Sequence, residues 1–323
     1  MRVLDLEVAA PEGLWREFGG RVVFGEVAER LSSLRLGLVI VGGAFGGMLE
    51  ERRVSTQGEV RELDAPLVGL KRLDLSGTEL VKVPEWMVPI IRVAPIFPNL
   101  EVLGLRGCGL VGHLPSSFFG MIPKIRILDL ARQNIVRLLP PGVERLPETL
   151  EVLHLDGNPR LQLAETLTFP AGLRTLTMAE CPGAAAAVFS RAVDDEPAPA
   201  REPSSVELND RFAIRRFPQS LQVVDLSGNN LTIIPPSLAE APLRQLALAD
   251  NLIEEVPEWA GDRWGRTLTS VNLRRNRLRE RGISSSLWRE LALLKEFDVL
   301  GNSPGGPALA VEWSKLKSER GIL

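Results

Sequence analysis

"VVDLSGNNLTIIP", Val223 to Pro235, is nearly a copy of "RLDLSGTELVKVP", Arg72 to Pro84, although most of a domain's length of chain separates them. A phrase used only twice marks a duplicated site, whereas one that recurs at a steady period is framework, and function then lies in what varies. The pattern L-x-x-L-x-L-x-x-N-x-L begins at Leu70, Leu100, Ile125, Leu150, Leu173, Leu221, Leu243, Leu268 and Leu294. Successive starts lie 30, 25, 25, 23, 48, 22, 25 and 26 residues apart, so the phrase is periodic and the one long gap is close to a double step.

Each position has a physical reading. In "LQVVDLSGNNL" the residues Leu221, Val224, Leu226 and Leu231 are apolar, and the alternation of Val224 with Leu226 sends Asp225 to the opposite face. One short parallel strand per repeat follows. Asn229 ends that strand, and Asn158, Asn251, Asn276 and Asn302 are its equivalents, with Thr78, Cys108, Gln133 and Cys181 in the same place elsewhere. A short polar side chain there bonds the backbone groups that the turn leaves unpaired, so these residues are rungs of a ladder, not ligands. Pro98, Pro123, Pro147, Pro170, Pro218 and Pro242 stand just ahead of the strands, where a missing N–H costs little.

From about Val60 to Pro304 the chain resembles the leucine-rich repeat superfamily. The "L-x-x-[IV]-P" of "LTIIP" and "LVKVP" is most similar to the typical intracellular repeats of Ras-binding scaffold and plant Ras-group-related proteins. The resemblance implies an α/β solenoid, a curved horseshoe of nine or ten repeats with one short parallel strand each and a helical C-terminal cap. It also implies a protein-interaction scaffold rather than an enzyme. At about 4.8 Å per strand, nine strands make a concave sheet roughly 40 Å long.

The irregular stretches set the domain expectations. Residues 1–59 are expected to form an N-terminal cap with irregular repeats: "MRVLDLEV" alternates like a strand, and Val27, Leu31 and Leu34 suit one face of a helix. The repeat domain is expected over 60–306. Within it "GAAAAVFSRAVDDEPAPAREPSS", Gly183 to Ser205, lacks the pattern and reads as a surface insertion, with Val206 and Leu208 as the core pair of a degenerate tenth repeat. Residues 307–323 are expected to be a capping helix, with Pro307 at its start, Leu309, Trp313 and Leu316 on one face and Gly321 as its stop.

Composition narrows the function. Of 323 residues 45% are hydrophobic and 24% charged, which describes a chain able to bury a large core. A net charge of -3 gives no general attraction to nucleic acid or anionic lipid. Two cysteines and no signal peptide point to an intracellular, cytoplasmic protein. The apolar run Leu36 to Met48 is too short and glycine-rich to span a membrane, and Gly42 to Gly47 lacks the Lys and Ser or Thr of a phosphate-binding loop. Cys108 and Cys181 fill ladder positions, while His113 and His154 have no metal-binding spacing and no nucleophile beside them, so no catalytic, cofactor or metal site is expected. Trp86 and Trp259, in "VPEWM" and "VPEWA", are expected in the core at the place held by Leu238 and Phe118. The sequon at Asn230 belongs to the repeated turn and is read as a chance match.

Candidate function therefore rests on the variable strand positions. Before the core pair these read Arg72, Val102, Ile127, Val152, Thr175, Val223, Gln245, Ser270 and Glu296. Val102, Ile127 and Val152 form an apolar line beside Asp129 and His154, the composition of a protein-binding site on the concave face. The expected partner is a protein, bound by a monomer or by a subunit of a larger complex. Two alternatives stand beside this: a structural subunit of a protein or ribonucleoprotein assembly, or binding of nucleic acid or an acidic surface through Arg274, Arg275, Arg277, Arg279 and Arg281. Glu280 and Asp262 are the nearby carboxylates available to neutralise that cluster.

Overall fold

The computed structural model describes residues 3–6, 33–36, 71–77, 97–115, 117–139, 145–163, 167–184 and 217–321. The chain divides into two compact units, Met1–Asn158 and Pro159–Leu323.

In the first unit the strands are β1 (Val3–Leu6), β2 (Ser33–Leu36), β3 (Arg72–Asp74), β4 (Val102–Gly104), β5 (Val111–His113), β6 (Ile127–Asp129), β7 (Asn134–Arg137) and β8 (Val152–His154). β1, β2, β3, β4, β6 and β8 pair in parallel in that order, and β5 pairs with β7 in a separate two-stranded sheet. Leu4, Leu34, Leu73, Leu103, Leu128 and Leu153 share one register across the larger sheet. Leu73, Leu103, Leu128 and Leu153 are buried, each contributing about 2 kcal/mol of apolar burial. A short helix α1 (Phe118–Met121) buries Phe118 and Met121.

Leu34 is a strand residue, not part of a helix face. Its period-two setting in "SLRL" pairs it with Leu73, and this long-range pairing overrides the helical spacing to Leu31. Val27 and Leu31 lie outside the described residues.

The second unit repeats the scheme with β9 (Thr175–Thr177), β10 (Val223–Asp225), β11 (Gln245–Ala247), β12 (Ser270–Asn272) and β13 (Glu296–Asp298), all parallel and in sequence order. A 3-10 turn (Pro236–Glu240) and the helices α2 (Trp259–Trp264), α3 (Ser285–Glu290) and α4 (Gly306–Arg320) return the chain between strands or follow the last one. β9 pairs directly with β10, Thr175 opposite Val223, so no tenth strand stands between them. Val206 and Leu208 lie outside the described residues. Gly183 and Ala184 belong to the packed structure: Ala184 is fully buried, and a Cβ on Gly183 would lie 2.9 Å from the Leu161 carbonyl.

The ladder asparagines bridge consecutive repeats. Asn251 Nδ2 donates to the carbonyls of Leu226 (2.9 Å), Leu248 (3.0 Å) and Ala249 (3.1 Å), and its Oδ1 accepts from the N–H groups of Asn229 (2.9 Å) and Leu231 (3.0 Å). Asn276 and Asn302 repeat this, each donating to a preceding-repeat carbonyl at 2.8 Å and accepting from a preceding-repeat N–H at 3.0 Å. Gln133 does the same with Leu105 O and Leu110 N, and the Cys108 thiol donates to Leu75 O. Asn158, Asn229, Asn251, Asn276 and Asn302 are all buried, which such complete satisfaction permits.

The described residue before each rung position is left-handed: Gly77, Gly107, Arg132, Gly157, Glu180, Gly228, Asp250, Arg275 and Gly301 all have φ between 52° and 78°. The turn into the rung requires this conformation, which glycine adopts without cost and other residues at about 1 kcal/mol.

The tryptophans depart from expectation in α2. Trp264 is the core residue, 1% exposed, with Nε1 donating to Ala241 O (3.1 Å), while Trp259 is half-buried and packs edge-to-face on Trp264 at 4.9 Å. Leu238 and Phe118 stand three residues after Pro235 and Pro115, and in this repeat that place belongs to the buried Ala260, with Trp264 one helical turn on. Trp86 lies outside the described residues. In α4, Leu309 and Trp313 are buried and Leu316 is half-buried; Trp313 stacks on Trp288 at 5.7 Å and meets Phe297 edge-on. Gly321 ends α4 in the left-handed conformation, its N–H reaching the Lys317 and Ser318 carbonyls.

Candidate protein-interaction site

Strand alternation buries Leu103, Leu128 and Leu153 and turns their neighbours to the opposite face of the first unit's sheet. There Val102, Ile127 and Val152 lie directly opposite one another in register, as do Gly104, Asp129 and His154. All six are half-buried. The pairing thus brings together all five residues expected at the site, with Val102, Ile127 and Val152 as one continuous apolar strip. Arg72, opposite Val102, is exposed and ends the strip with a cation.

Both sides of the strip are polar, in different ways. Along the strand entries Lys71, Glu101, Arg126 and Glu151 alternate in charge, with Lys71–Glu101 at 3.4 Å, Arg126–Glu101 at 3.7 Å and Arg126–Glu151 at 2.8 Å. The hydrogen bond and charge of Glu151, joined by Glu101, raise the Arg126 pKa above its ordinary value. This row escapes a search for single motifs, but its alternation is readable once the repeats are aligned. On the other side, Asp129 Oδ1 accepts the Ala131 N–H at 2.9 Å, and Asp74, Asp225, Asn272 and Asp298 make the same bond to the residue two places on. The carboxylates that vary least between repeats are therefore turn formers as well as surface groups. Gly104 gives Asp74 its room, since a Cβ there would lie 2.6 Å from Asp74 Oδ1.

The leucine rich repeat family matches residues 99–121 and 220–241. The mouse podocan-like protein 1 is 30% identical over 262 residues, 79% of this chain and 44% of its own length. The chain is a leucine-rich repeat protein. It spans less than half the length of that curated relative. An internalin from Listeria monocytogenes shares the fold at a TM-score of 0.53 and 17% identity, over 90% of this chain and 68% of its own. A leucine-rich repeat protein from Leptospira interrogans aligns at a TM-score of 0.45 and 20% identity, over 78% of this chain and 60% of its own.

The arginine cluster of this leucine-rich repeat protein lies in the second unit. Its five arginines are exposed, and its neutralising partners differ from those nearest in sequence: Arg275 pairs with Asp250 at 2.8 Å and Arg279 with Glu254, both from the preceding repeat. Adjacent repeats stack side by side, so a carboxylate one repeat earlier lies closer than one a few residues along. Among the described residues no group of His, Cys, Asp and Glu is placed to hold a metal, and no helix is long and apolar enough to cross a membrane.

Proposed function

We propose that this leucine-rich repeat protein is a non-enzymatic scaffold that binds a protein partner through the strip Val102, Ile127 and Val152, flanked by Asp129 and His154. The observation that carries the reading is the contrast between units at one structural position. In the second unit the same register holds Thr175, Val223, Gln245, Ser270 and Glu296, only one of them aliphatic. Nothing in the framework demands a hydrophobic residue there, and three in succession lower the cost of desolvating the face on binding. The ion row beside the strip is neutralised internally, so it orients a partner more than it attracts one. The thiols of Cys108 and Cys181 are buried at ladder positions and donate to backbone carbonyls, which supports residence in a reducing compartment.

A photo-crosslinking side chain at Ile127, compared with one at exposed His113, tests the reading in cells that express the protein naturally. Adducts specific to position 127 are expected. Adducts at 113 alone would overturn the strip as the site.

A further inference from the structure

We propose that Arg274, Arg277, Arg281 and Leu300 form a second docking surface, which takes an acidic peptide segment of a protein partner with an apolar side chain among its carboxylates. Asp250 and Glu254 engage Arg275 and Arg279, and among the described residues Arg274, Arg277 and Arg281 have no ion-pair partner. A second feature leaves Arg274 without a carboxylate at the turn of its own strand. Asp225 and Asp298 cap their strands with a carboxylate, but Asn272 makes the same turn, accepting the Arg274 N–H at 3.0 Å, with a neutral amide. The backbone beneath is held from both sides: Arg277 N bonds Ile253 O (2.9 Å), Arg279 N bonds Glu254 O (3.0 Å), and Arg275 N bonds Leu300 O (2.7 Å). The guanidinium groups thus hang from a fixed frame, which lowers the ordering cost of binding.

Leu300 decides between polyanions. It continues the register Asn272 to Asp298 opposite Arg274, one strand spacing away, and is 59% exposed. An exposed leucine beside unpaired arginines suits a peptide that offers both an apolar group and carboxylates, and adds nothing for a phosphate backbone. Asp250 and Glu254, paired with Arg275 and Arg279, interrupt any longer basic track that a nucleic acid would follow. This surface is contained in the second unit, so its failure leaves the reading of the strip untouched.

The test is fluorescence anisotropy on the full chain with a labelled Glu-Asp-Leu-Glu-Asp-Phe-Glu-Glu peptide, its Gln/Asn analogue, and mixed-sequence single-stranded and duplex DNA, at about 50 and 200 mM salt. The acidic peptide is expected to bind, and the amide analogue to bind at least about ten-fold more weakly. Combined Arg274→Glu, Arg277→Glu and Arg281→Glu is expected to weaken the peptide about ten-fold or more at an unchanged melting temperature, and Leu300→Ser to weaken it several-fold. Should the reversal lower the melting temperature, Arg277→Gln with Arg281→Gln is read instead, with a loss of about three-fold expected. No peptide binding, equal binding of the two peptides, or variants that bind as the wild type would overturn the proposal. DNA binding tighter than peptide binding, with a steep loss at higher salt, would replace it with a nucleic-acid site.

Discussion

Asn251 joins its repeat to the preceding one through three hydrogen bonds, accepting at Oδ1 from the N–H groups of Asn229 and Leu231 and donating from Nδ2 to Leu226 O, while the second Nδ2 hydrogen is shared between the Leu248 and Ala249 carbonyls of its own repeat. Replacing it with leucine strands several buried backbone groups, so Asn251→Leu is expected to destabilise by about 3 kcal/mol, counting 1 to 3 for each group left unsatisfied and allowing for relaxation. Asn272→Leu loses one bond at a half-buried site and is expected to cost about 1 kcal/mol. Thermal melts of the pair decide the point, and equal midpoints would refute the ladder assignment. The left-handed positions give a change of opposite sign. Arg132 has φ 56° where Gly77, Gly107, Gly157, Gly228 and Gly301 stand in other repeats, and Arg132→Gly is expected to stabilise by about 1 kcal/mol, read as a higher urea midpoint at constant slope. Arg275→Gly is expected to gain less, because it also removes the Asp250 pair.

At the scale of an element, α2 and its neighbours separate what alignment reveals from what it hides. The strand pair, the rung and the helix stop at Gly321 are legible because each depends on a residue type at a fixed offset. The choice between Trp259 and Trp264 is not. A helix turns about 100° per residue, so a tryptophan two places after the proline instead of three leaves the buried stripe, and Ala260 with Trp264 takes it. Trp264→Ala is accordingly expected to cost about 3 to 5 kcal/mol, and Trp259→Ala less than half of that, in denaturant unfolding. Strand β2 was hidden for a related reason. "SLRL" offers one alternation that also fits a helical face, and only its pairing with β3 settles the matter.

For the whole molecule, we propose that residues 185–205 are an insertion dispensable to folding. A short Gly/Ser linker in their place is expected to leave cooperative unfolding intact, whereas loss of cooperativity would make them part of a repeat. The candidate site is legible in the sequence only as rows of variable residues. The alignment shows Val102, Ile127 and Val152 in one row, but it does not show that Asp129 turns an oxygen to the Ala131 N–H or that Lys71, Glu101, Arg126 and Glu151 reach one another as ion pairs, because these depend on side-chain direction. The central claim, binding through the strip, is tested most directly by quantitative affinity capture at native expression. Wild type is compared with Val102→Ser, Ile127→Gln and Val152→Thr combined, after equal melting temperatures are verified. A loss of one or more partners by about ten-fold or greater is expected, as for removal of a desolvated apolar anchor; full retention of every partner by the triple variant would contradict it.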